Sequence, residues 1–66
     1  MKSQNYLYTI HHLVYSPYYK ADMQETCSII DKCGNLGERA LKNRALKQHN
    51  LTIERIERIE CACYAN

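Results

Sequence analysis

The chain has 66 residues, a net charge of +2 and 45% apolar residues. That length bounds it to one domain, residues 1–66, in which apolar burial and the entropy of ordering the chain nearly cancel. The ordinary apolar content excludes a disordered chain, and the small net charge excludes both a strongly acidic DNA mimic and a strongly basic obligate nucleic-acid binder.

Residues 5–15, NYLYTIHHLVY, are dense in Tyr, Ile, Val and Thr and contain no Gly or Pro, so they predict a strand. Tyr6, Tyr8, Ile10, His12 and Val14 fall on one face, and Leu7, Thr9, His11, Leu13 and Tyr15 on the other. Both faces are apolar enough for a central strand. SPYYK follows, with Pro17 suited to the second position of a turn. Residues 21–33, ADMQETCSIIDKC, carry two patterns. Asp22 and Glu25 have capping-box spacing for a helix, while TCSII has β character, and the turn at Pro17 favours a hairpin.

Gly34 ends that segment, and Asn35 with Glu38 repeats the capping-box spacing. Residues 36–49, LGERALKNRALKQH, predict a helix rich in Ala, Leu, Arg and Lys with nothing β-branched, closed by Asn50 as a left-handed cap. RALK occurs at 39–42 and again at 44–47. A five-residue period rotates the second copy by about 140° around the helix, so the repeat builds no single basic stripe.

The last segment, IERIERIECACYAN at 53–66, reads as a strand because it follows a capped helix, is rich in Ile and ends in alternation. Regular alternation would put Arg55, Glu57, Ile59, Cys61 and Cys63 on one side and Ile56, Arg58, Glu60, Ala62 and Tyr64 on the other. Neither side is clean over 54–58, which predicts a charged edge strand or a bulge there, with Cys61 and Cys63 as core residues beneath the helix. The expected fold is α+β: a three-stranded antiparallel sheet covered by one helix, in the order β-β-α-β. The alternative is β-α-α-β.

The four cysteines, Cys27, Cys33, Cys61 and Cys63, are a set that zinc would accept. Their spacings, Cys-x5-Cys and Cys-x-Cys, depart from the paired knuckles of zinc modules, and reduced thiols packed as small hydrophobes are the plainer reading. No metal or other cofactor is expected. His11 and His12 are neighbours on a strand and face opposite sides, so they cannot share one metal. With no phosphate loop, nucleophile elbow or paired carboxylates, the chain reads as a non-enzyme. No stretch is apolar enough to span a membrane, and MKSQNYLYTI lacks the apolar run of a signal peptide, which places the protein in the cytoplasm.

All six aromatic residues are tyrosine, a side chain that serves a small core or a contact surface equally well. Tyr6, Tyr8, Tyr15, Tyr18 and Tyr19 are the candidate anchors for a protein partner, with Arg39, Lys42, Arg44 and Lys47 steering it. The same basic residues allow direct nucleic-acid binding, and a second copy of the chain would add buried area. In size and in the succession NYLYTIHHLVY, LGERALKNRALKQH, LTIERIERIECACY, the chain resembles the short accessory proteins of phages and other mobile elements, among them small anti-CRISPR proteins. The resemblance implies a stoichiometric inhibitor that docks on a nuclease or other nucleic-acid-binding effector.

Overall fold

NYLYTIHHLVY forms the middle of β1 (Gln4–Ser16), and the segment with two patterns forms β2 (Ala21–Asp31). The computed structural model describes residues 4–65, with side chains through residue 63. α1 (Glu38–His49) and β3 (Arg55–Ala65) complete the chain, and the strands make one antiparallel sheet in the order β2-β1-β3. This is the β-β-α-β arrangement, with β1 in the centre.

Residues 17–20 turn the chain between β1 and β2. Lys20 closes the turn at a positive φ of 53°, and the Tyr19 N–H donates to Ser16 Oγ at 3.3 Å. Pairing then sets Ile10 opposite Cys27 and Tyr8 opposite Ile29. That register buries Cys27 and Ile29, which decides strand over helix for residues 21–31: an extended β2 places both on the core face. Asp22 is no helix cap; its carboxylate instead receives Arg55.

The helix begins at Glu38, two residues later than its composition predicts, with Gly37 as N-cap and no side-chain cap. Tyr8 explains the delay. Its buried hydroxyl donates to the carbonyl of Cys33 and accepts the N–H of Leu36 at 3.2 Å, which ties the connection to the sheet. Leu36 packs against the core, and Asn35 accepts a bond from Cys33 Sγ in place of capping the helix. At the other end Asn50 takes the left-handed conformation expected of it, at φ 52°.

Leu41 and Ala45 of α1 are buried together with Tyr8, Ile10, Cys27, Ile29 and Ile53. The helix packs against β2. A 12-residue helix spans about 18 Å, whereas 13 residues of strand span about 43 Å. The molecule measures 50 × 19 × 18 Å, so the helix covers less than half of the sheet's length.

β3 carries the irregularity that its sequence predicts. His11 pairs with Arg58 and His12 with Ile56, leaving Glu57 opposite nothing. The extra residue is a β-bulge, and it resets the alternation. Ile59 opposite Ile10 and Ile56 opposite His12 therefore share the helix side of the sheet, while Arg58 opposite His11 and Arg55 opposite Leu13 share the other. Ile56 and Ile59 both pack against the core. The period of three in IERIERIE is the sequence of a strand with one bulge. The side chain of Tyr64, expected beside Ala62, lies outside the described residues.

Deleting Glu57 should leave every pairing of Ile56, Arg58 and Ile59 in place and shift Tm by only a few degrees, whereas deleting Glu60 should invert one arm of β3 and unfold the chain. Thermal melts followed by circular dichroism compare the two directly.

Candidate binding surface

The structure divides the candidate anchors among three places. Tyr8 belongs to the core, where burial pushes its phenol above the ordinary value. Tyr6 is half-buried, and its ring lies so close to Gly34 that a Cβ there would approach it to 2.7 Å. Both tyrosines brace the connection before the helix, and the burial of Tyr8 corrects the expectation that it is a contact residue.

Tyr15, Tyr18 and Tyr19 stand at the hairpin tip, past the end of the helix. Tyr18 is 83% exposed, Tyr19 66% and Tyr15 56%. The Tyr18 and Tyr19 rings meet edge to face with centroids 4.8 Å apart. Val14 and Met23, opposite each other across the strands, are also exposed, and with Tyr15 and Pro17 they line a shallow cleft. Tyrosine rings that pack on one another offer a large contact area with few torsions to freeze.

The basic residues sit on α1. Arg39 and Lys47 are exposed, Lys42 is half-buried, and Arg44 binds Asp31 at 2.8 Å. That pairing withdraws Arg44 from the free positive surface. The Cys33 N–H, and then the Arg44 guanidinium, hold the Asp31 carboxyl below its ordinary value of 3.8. Because Arg44 reaches the end of β2 remote from the turn, the basic helix and the aromatic tip form separate surfaces.

The cysteines do not gather. Cys27 is buried, but Cys33, Cys61 and Cys63 are exposed and all four are free thiols. The expectation that Cys61 and Cys63 are core residues fails because α1 leans on β2: Ile56 and Ile59 still reach the core from β3, but the helix side of the strand is uncovered at Cys61 and Cys63. Among the described residues no group of three or more His, Cys, Asp or Glu side chains is placed to hold a metal ion. The three strand cysteines pair with Tyr6, Tyr8 and Ile10 on the helix side, away from His11. His12 is on their side, yet it is buried and neither ring nitrogen has a hydrogen-bond partner.

The sheet face without a helix was not visible as a unit in the sequence. Here side chains from the outer strands meet over β1. Arg55 makes two bonds to Asp22, at 2.7 and 3.1 Å. Gln24 donates to Glu57 at 3.1 Å, and His11 Nε2 lies 3.0 Å from Glu60. The Arg55 hydrogen bonds lower the Asp22 carboxyl, and His11, followed by Arg58, lowers Glu60. The Asp22 and Gln24 contacts join residues 33 apart in sequence, so no local pattern announces them. Among the described residues no helix is long and apolar enough to cross a membrane.

Compared with protein-family models, curated proteins and solved structures, the chain matches none of them.

His12→Leu should leave stability unchanged or raise it, since a buried polar group without partners costs about 1–3 kcal/mol; urea unfolding measures the difference. Asp31 has a depressed folded pKa, so its contribution is present above the ordinary carboxylate range and is lost as pH falls through the lowered value. Asp31→Asn should therefore flatten the fall of Tm with pH below about 4, as read from melts across an acid series.

Proposed function

We propose that the chain is a non-enzymatic cytoplasmic binding protein that docks on a protein partner through the tip of the β1–β2 hairpin. The observation that carries this reading is the collection of Val14, Tyr15, Tyr18, Tyr19 and Met23, all exposed, at one end of an elongated molecule. Exposed apolar side chains scattered singly need no explanation, but several gathered at a projecting tip, two of them with rings in edge-to-face contact, support a contact site there. The partner is a nucleic-acid-binding effector or nuclease, and the action is stoichiometric inhibition of the anti-CRISPR kind by a phage or mobile-element protein. Support for that narrower reading is the resemblance in size and layout, together with exposed Arg39 and Lys47 on a second surface, which favour an acidic patch on the partner.

Direct nucleic-acid binding is the second reading, and the basic residues of α1 favour it. It predicts affinity for DNA or RNA that falls steeply with salt.

The test compares capture from host lysate by the wild type, by Tyr18→Ala with Tyr19→Ala, and by Arg39→Glu with Lys42→Glu. The tyrosine pair should weaken capture of a specific partner by roughly tenfold or more without altering Tm, as expected for aromatic anchors. The charge pair should mainly slow association. A partner retained equally by the tyrosine variant would sink the tip as the contact site. Steep salt dependence with nucleic acid alone would move the assignment to the second reading.

A further inference from the structure

The sheet has two outer edges, and they are treated differently. On β2 the helix occupies the end of the edge remote from the turn: His49 Nε2 donates to the Ser28 carbonyl at 2.7 Å and Gln48 Nε2 to the Ile30 carbonyl at 3.3 Å. On β3, among the described residues, neither a loop nor a side chain hydrogen-bonds to the outer backbone. An uncovered edge of this length is a template for another strand.

We propose that the occupant is a second copy of the same edge, with β3 pairing antiparallel to β3 across a two-fold axis at Ile59, so that two sheets join into one of six strands. The charge pattern and the bulge together select this register: Arg and Glu flank Ile56 as they flank Ile59, but the Glu beside Ile56 is the bulged Glu57, which breaks the ladder there. In an antiparallel pair, residues directly opposite share a face, so a two-fold axis must centre on one residue. Centred on Ile59, Arg58 lies opposite Glu60 of the second copy and Glu60 opposite its Arg58, two equivalent attractions on the open face. On the helix side, Ile59 meets its own counterpart.

The neighbouring registers are worse. Centring on Glu57, Arg58 or Glu60 puts that charge against itself, and like charges directly opposite are destabilising. Within one chain Glu60 lies 3.0 Å from His11 and Arg58 3.3 Å from the same ring, but the Arg58 and Glu60 side chains remain mostly exposed, at 63% and 56%, and each keeps room for a partner across the edge. The Glu57 bulge interrupts one arm of each strand, so the ladder is short and the dimer dissociates on dilution. The interface lies on β3 and leaves the hairpin tip open, so Tyr18→Ala with Tyr19→Ala leaves the dimer unchanged.

Charge exchange tests the register. Arg58→Glu alone sets Glu against Glu at both contacts, Glu60→Arg alone sets Arg against Arg, and each should weaken self-association by roughly tenfold or more. An equimolar mixture of the two restores opposite charges at both contacts and should recover the dimer. If either single variant fails to fold, the double exchange Arg58→Glu with Glu60→Arg takes its place: it should dimerise with itself as the wild type does, and not with the wild type. Sedimentation velocity over a concentration series reads all of these, with circular dichroism confirming folding. A wild type that stays monomeric at millimolar concentration overturns the proposal. So does a dimer indifferent to the reversals, or a mixture that stays monomeric.

Discussion

Glu57 stands opposite no residue of β1, and the two faces of the sheet depend on that vacancy in the pairing. A strand in regular alternation could not set Ile56 and Ile59 on the same side, because residues three apart point in opposite directions. One extra residue between them corrects the phase. With it, both isoleucines reach the core from β3, with Ile53 buried just ahead of the strand, and Arg55 and Arg58 are turned together to the opposite face. There Arg55 reaches over β1 to Asp22, and Arg58 approaches His11 and Glu60. These ion pairs are exposed enough to contribute little each. Their structural effect is to lay long side chains over the central strand on the face that has no helix.

The second determinant is a mismatch of lengths. The strands are more than twice as long as the helix, so the core occupies one end of the molecule and the hairpin extends past it. Because the helix leans on β2, its last turn bonds to the end of that edge, and among the described residues the other outer strand is left with Cys61 and Cys63 exposed and no hydrogen bond to its outer backbone. The exposed tyrosines at the turn, the exposed cysteines on β3 and the unblocked β3 edge are three results of one placement.

Tyr8 links the layers. Its ring is in the core and its hydroxyl serves the Cys33 carbonyl and the Leu36 N–H, so the connection before the helix is held from below. This gives partly buried backbone groups a partner, and it explains why the helix begins later than its composition favours.

The sequence by itself determined the elements and their order, except over residues 21–31, where pairing with β1 decided strand over helix. A long β-branched and aromatic run without Gly or Pro made a central strand, Pro17 marked the turn, Ala-, Leu- and Lys-rich composition made the helix, and Asn50 ended it, all through local backbone and side-chain preferences. It also located the irregularity at 54–58, because neither face of that segment was clean. Tertiary structure alone decided which tyrosines are available, since Tyr6, Tyr8 and the tip tyrosines are chemically alike and differ only in what lies above them. It decided likewise that Cys27 is buried while Cys61 and Cys63 are not: all three are on the helix side of the sheet, and the lean of the helix toward β2 separates them. Alternation assigns a residue to a face, but whether that face is covered depends on contacts between elements distant in the chain.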